Sequence, residues 1–212
     1  MTHVSRLDYT GVTAKNLDPD VREELRKWRR GVLAHAREGM PLDRALSVSR
    51  VQYGLWLFGE RFAGTSYIGQ ALAGRMCFQE GLAGVERVTA TELIEHTKDV
   101  WSFDQMVRRN GEDMAVWGDM MEAQGVLERY FKLCDLLWVD DFHHETIQMP
   151  FWKRYVQPYV EARVKDKLPT IVSTTCSPDD ESMHKKVIEG LFHVVLCDGY
   201  RPEHDAYDYD RP

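Results

Sequence analysis

Residues 133–145, LCDLLWVDDFHHE, constrain the fold of this 212-residue chain more than any other stretch. Leu136, Leu137, Trp138 and Val139 form an unbroken apolar run that ends in Asp140 and Asp141. A strand with one wet face would alternate apolar and polar residues. An unbroken run suits a strand covered on both sides, as in a parallel sheet flanked by helices. Carboxylates at the C-terminal end of such a strand stand at the edge where open α/β sheets bind ligands. Taken alone, the segment fits a core strand ending in solvated acids equally well.

Short apolar runs recur at 53–58, 85–89, 168–174 and 192–196. Helical spacing fills the intervals between them. Asp18, Pro19 and Asp20 open a helix by capping and first-turn charge; Leu25, Trp28, Val32 and Leu33 continue it, and Gly39 with Pro41 closes it. Further helices are expected over 67–79, from Thr91 onward, over 145–165 with a break near Pro150 or Pro158, and over 178–190. Residues 99–124, polar and Met-rich with Gly111 and Gly118, read as a helical insertion with irregular joints. Strands alternating with helices predict one α/β domain with a mainly parallel sheet flanked by helices. Residues 1–50 read as a lead-in with one helix, belonging to the same domain as the 51–212 core.

The net charge of −7 provides no global basic footprint for nucleic acid. Cys77, Cys134, Cys176 and Cys197 form no CxxC pair and read as reduced, mostly buried thiols. No signal-peptide pattern and no membrane-length apolar run is present, so a cytoplasmic protein without membrane contact is expected.

Between the first strand and the following helix lies GERFAGTS, residues 59–66. Glycines let a backbone wrap an anion, and a helix N-terminus supplies N–H donors, so this is the context of a phosphate-binding loop. Gly59, Gly64 and Ser66 fit the spacing G-x-x-x-x-G-K-[ST], with Thr65 where lysine belongs. Two glycines so spaced also fit an ordinary strand–helix turn that binds nothing. His143, His144 and Glu145 are adjacent and lack a partner at ligand spacing, which disfavours a metal site. Phe151, Trp152, Tyr155 and Tyr159 at helical spacing suit a core or partner interface better than base stacking.

The segments GLWLFGERFAGTSYIGQALAG, VERVTATELIEH, CDLLWVDDF, LPTIVSTTCSP and VVLCDGYR, in this order, resemble the core of AAA+ ATPases. Within that class they are most similar to the DnaC/DnaI/IstB group of helicase-loader and transposition-helper proteins. RLDYTGVTAKNL resembles the segment that precedes the first strand in that group. The resemblance implies a single P-loop NTPase-like domain that binds ATP and Mg2+. It assigns Gly59, Gly64, Thr65 and Ser66 to the phosphate loop and Asp140, with Ser66, to Mg2+. It makes Asp141 the acid that activates water, Thr175 the sensor residue, and Tyr200-Arg201 the closing motif. It also implies a replicative helicase or a second AAA+ subunit as partner, and single-stranded DNA as a further ligand.

The chain departs from that pattern at three charged or polar positions. Thr65 replaces the lysine that neutralises phosphate charge. Thr175 stands where Asn is usual, and Gly190 falls at the expected arginine-finger position. Weak or lost ATP hydrolysis is therefore expected. Two roles follow from this: a DnaC-like protein assisting DNA replication, or a catalytically inactive subunit that keeps the fold for interaction. A small-molecule kinase on a related fold fits less well, because it too needs the missing lysine and no arginine-rich lid is evident.

Overall fold

The computed structural model describes residues 18–36, 52–61, 63–78, 82, 84–110, 114–143, 149–177 and 190–197. Its centre is a five-stranded, all-parallel sheet. The strands are β1 (Gly54–Phe58), β2 (Val85–Thr89), β3 (Leu136–Phe142), β4 (Thr170–Thr174) and β5 (Phe192–Leu196). Their spatial order is β2-β3-β4-β1-β5. β1 pairs with both β4 and β5, and β3 lies between β2 and β4. The chain therefore reverses direction of travel across the sheet beside β1, the arrangement that opens a crevice at strand C-termini.

The unbroken apolar runs are explained by their cover. β4 is buried throughout, and β3 is buried everywhere except Asp141. Helix α2 (Thr65–Phe78) packs on β1, β3 and β4. Helix α3 (Ala90–Asn110) lies against β2 and β3 and pairs with α4 (Met114–Glu128). Helix α5 (Gln157–Lys165) contacts β4, and α1 (Pro19–Ala36) contacts β5. Leu25, Trp28, Val32 and Leu33 of α1 are buried in the same core as the sheet.

Several boundaries follow from local chemistry. Asp18 caps α1 by accepting from the Asp20 N–H at 2.8 Å. Thr89 and Glu92 form a reciprocal capping box: the Thr89 N–H donates to Glu92 Oε2 at 2.8 Å, and the Glu92 N–H to Thr89 Oγ1 at 3.2 Å. That box starts α3 at Ala90, one residue before the expected Thr91. The helical insertion expected over 99–124 is helical, α3 and α4 packed side by side, and the joint at 111–113 lies outside the described residues. Helix α4 runs on into a π-helical turn, Arg129–Leu133, closed by the Cys134 N–H on Arg129 O at 2.9 Å. The break expected in the 145–165 helix is a second π-helical turn, Trp152–Val156. Pro158 follows it and has no N–H to donate, so the regular ladder cannot continue through that point.

Arg163 is the largest fully buried side chain. It donates to Cys134 O at 2.7 Å, Pro169 O at 3.2 Å and Thr170 Oγ1 at 3.2 Å, tying α5 to the entry ends of β3 and β4. Burial pushes its pKa below the usual arginine value. Among the described residues, no helix is long and apolar enough to cross a membrane. Gly39, Pro41, residues 178–189 and the 6–17 lead-in lie outside the described residues.

Candidate nucleotide site

Gly64 has φ +81°, a left-handed conformation that only glycine adopts at no steric cost. It turns the chain from the residues after β1 into α2, whose first turn closes with the Ile68 N–H on Gly64 O at 2.9 Å. Gly59 ends β1 and donates its N–H to Thr174 O at 3.2 Å. A Cβ there would lie 2.7 Å from Cys197 O, so the loop passes too close to the β5 exit for any side chain. Gly69 brings α2 down on the sheet. Its missing Cβ would meet Ser173 Oγ at 2.7 Å and Trp138 Nε1 at 2.8 Å.

The period of two along each strand sets which side chains share α2's face. Arg87 pairs with Trp138 and Thr89 with Asp140, so these four point the same way. The β3–β4 register then slips: the three steps from Val139 to Phe142 are matched by two from Val172 to Thr174. Asp141 sits in this bulge with φ +56°. The extra residue has a clear effect. Without it, Phe142 would fall on the same face as Asp140. With it, Asp140 faces the crevice while Phe142 turns into the opposite core, with ring centroids 5.6 Å from Trp56 and 4.6 Å from Trp152.

A cavity of about 780 Å³ opens at this edge, within the range of small-molecule sites. Gly64, Thr65, Ser66, Asp140, Asp141 and Thr175 all line it. Gly59 supports the loop from behind and is not part of the lining. Thr175 is exposed just beyond β4, while Thr174 is buried and donates its hydroxyl to Phe142 O at 2.6 Å. Gly190 is exposed at the turn into β5, with nothing within 4 Å of an added Cβ. Tyr200, Arg201, His144 and Glu145 lie outside the described residues.

Arg87 is one of the site residues that sequence reasoning missed; Arg61, Tyr67 and Gln70 also line the cavity. Arg87 Nη2 lies 2.7 Å and its Nε 3.2 Å from Asp140 Oδ2. Its guanidinium also stacks on Trp138, 4.9 Å from the ring centroid. The signal was present in VERVT: an arginine two residues before the C-terminal end of a strand beside the two-acid strand. Only the strand order makes them neighbours. The Asp140 side chain is 2% exposed, and its Oδ1 is buried without a hydrogen-bond partner. Asp141 behaves differently, its side chain 60% exposed and its Oδ1 2.7 Å from His143 Nε2.

The cavity's size and its glycine-turned helix N-terminus fit a phosphate-bearing ligand. The donor set does not fit Mg2+ as arranged. A hard divalent cation needs several open, negatively charged or neutral oxygens. Asp140 has one oxygen engaged by a guanidinium and the other enclosed, and no cluster of three metal-ligating side chains exists among the described residues.

No family profile and no curated protein matches the sequence. Similar folds occur among solved structures. The chain aligns with a DNA replication initiation factor at TM-score 0.50 and 14% identity, over 88% of this chain and 47% of that one. A replication initiator DnaA bound to AMPPCP and single-stranded DNA gives 0.49 and 13%, over 88% and 47%. AMPPCP-bound DnaA from Aquifex aeolicus gives 0.42 and 13%, over 68% and 39%. The chain thus spans less than half the length of these proteins. At such identities the likeness is one of fold: an α/β domain with a parallel sheet flanked by helices.

Proposed function

We propose that this chain is a DnaC-like AAA+ protein that assists DNA replication and hydrolyses ATP feebly or not at all. Its core spans residues 51–212, with residues 1–50 as lead-in to the same domain. The observation that carries the reading is the convergence of Gly64, Thr65, Ser66, Asp140, Asp141 and Thr175 on one cavity at the C-terminal edge of a parallel sheet. Gly59 and Gly64 shape the loop, and Thr65 with Ser66 and the start of α2 offers donors to phosphate. We assign Asp141, the exposed acid of the pair, to polarising water, and Thr175, which lines the same cavity, to the sensor position. ATP is the proposed ligand, and single-stranded DNA and a replicative helicase or second AAA+ subunit are the proposed partners. The fold-level likeness to a DNA replication initiation factor agrees with a replication role.

The Arg87–Asp140 pair favours the second reading, a non-hydrolysing subunit that works through protein contacts. Mg2+ supplies charge neutralisation in phosphoryl transfer when it is bound. Here Thr65 brings no charge, and Asp140 is already neutralised. Gly190 offers no finger to a neighbouring copy, so a working assembly is heteromeric or a small oligomer docked on its partner.

Calorimetry with Mg2+-ATP, with and without single-stranded DNA, tests the proposal. Weak binding, tightened by Thr65→Lys, is expected. Turnover by the wild type of about 1 s⁻¹ or faster, an ordinary enzymatic rate, overturns the expectation of feeble hydrolysis. A stable homohexamer by light scattering in Mg2+-ATP overturns the proposed assembly.

A further inference from the structure

We propose that Arg87 is the resident cation of this site, taking the place of both the absent phosphate-loop lysine and the divalent metal, so that the cavity binds polyphosphate without Mg2+. The inference rests on reading the cavity as a nucleotide site. Arg87 and Asp140 form an oriented pair. The acid is enclosed, with its side chain 2% exposed, whereas the Arg87 side chain is 44% exposed and lines the cavity. The negative end of the pair is therefore inside the protein and the positive end faces the ligand space. Two of the five guanidinium donors are spent on Asp140 Oδ2. The guanidinium carbon also lies over the ring of Trp138, whose own Nε1 donates to Ser173 Oγ at 2.7 Å, so the fork is held from a second side. A pre-oriented guanidinium on a buried acid is well suited to phosphate oxygens. A divalent ion on Asp140 would have to displace it or sit against a like charge.

Charge-assisted hydrogen bonds of this kind are worth about tenfold or more in affinity. ATP and pyrophosphate titrations in excess Mg2+ and in excess EDTA, with the full chain, form the test. The wild type is expected to bind ATP within about threefold in both buffers, since no step of binding uses the metal. Asp140→Asn frees Arg87 from its counter-charge and is expected to bind metal-free ATP more tightly. Arg87→Ala leaves Asp140 buried and unpaired, which threatens folding, so the neutral double variant Arg87→Ala/Asp140→Asn is the partner measurement. It is expected to bind about tenfold or more weaker than Asp140→Asn alone, at an unchanged circular dichroism spectrum.

If EDTA weakens wild-type binding about tenfold or more, and Asp140→Asn abolishes binding in Mg2+, Asp140 is a metal ligand and Arg87 a displaceable strand contact. That result overturns this inference and leaves the nucleotide reading intact. If neither ATP nor pyrophosphate binds in either buffer, the nucleotide reading falls and this inference falls with it.

Discussion

The indole N–H of Trp138 donates to Ser173 Oγ at 2.7 Å, joining β3 to β4 directly beneath Gly69 of α2. This contact sets how closely the helix that follows the phosphate loop approaches the sheet. A mid-helix glycine normally costs about 1 kcal/mol relative to alanine. Here the alanine Cβ would stand 2.7 Å from Ser173 Oγ and 2.8 Å from the buried indole. Overpacking a tight interior costs about 1–3 kcal/mol, which outweighs the helix gain. Gly69→Ala is therefore expected to lower the unfolding free energy by about 1 kcal/mol, read from urea midpoints at constant m.

The bulge residue separates stability from chemistry. A non-glycine residue at Asp141's φ of +56° costs about 1–2 kcal/mol, least for Asp and Asn. Asp141→Gly should be at least as stable as wild type, whereas a β-branched Asp141→Val should lose about 1–2 kcal/mol. Any residual ATP turnover should disappear in both. Thermal melts with a sensitive phosphate-release assay distinguish the two effects.

The capping box makes part of α3's stability depend on pH. Hydrogen bonds from the Thr89 backbone and hydroxyl hold the Glu92 carboxyl below its ordinary value of 4.5. Because the folded pKa is the lower one, the stabilisation is complete above the unfolded value and is lost as pH falls through the folded one. Thr89→Ala should cost about 1 kcal/mol at pH 7. The stability gap between wild type and Glu92→Gln should narrow as acid is added below 4.5. Urea denaturation at a series of pH values measures it.

Arg163 has no carboxylate among its hydrogen-bond partners, only two carbonyls and a hydroxyl. Arg163→Ala leaves a cavity and unmet acceptors, with an expected loss of about 2–5 kcal/mol. Arg163→Lys is expected to rescue little, because a point charge cannot span acceptors at the entries of both β3 and β4. Equilibrium unfolding of both variants decides this.

Thiol reactivity offers a quick check on the core. Burial pushes Cys134 up to about 11 and Cys197 up to about 12, and Cys176 is also buried. Cys77 is only partly buried. At pH 8 a thiol reagent should therefore modify one cysteine quickly and the remaining three only on unfolding. Four fast thiols would show that the core is open.

Much of this molecule was legible in the order of its residues. Unbroken apolar runs such as LLWV announce strands covered on both faces, because a strand with a wet side cannot afford them. Glycine at 64 and the acids after Val139 mark a turn and a sheet edge for equally local reasons. Local periodicity marks residues 99–124 as helical but does not say what the helices pack against. There α3 and α4 pair against each other, a contact that only the tertiary packing specifies. What only the fold decided is which charges meet. Arg87 and Asp140 are far apart in sequence, and nothing in VERVT or VDDF names the other. The parallel pairing of β2 with β3 places them on one face, and the bulge at Asp141 keeps Asp140 on that face while turning Phe142 away. Sequence determines what each strand can bury. The electrostatics of the crevice depend on strand neighbours and register, which only the assembled sheet specifies.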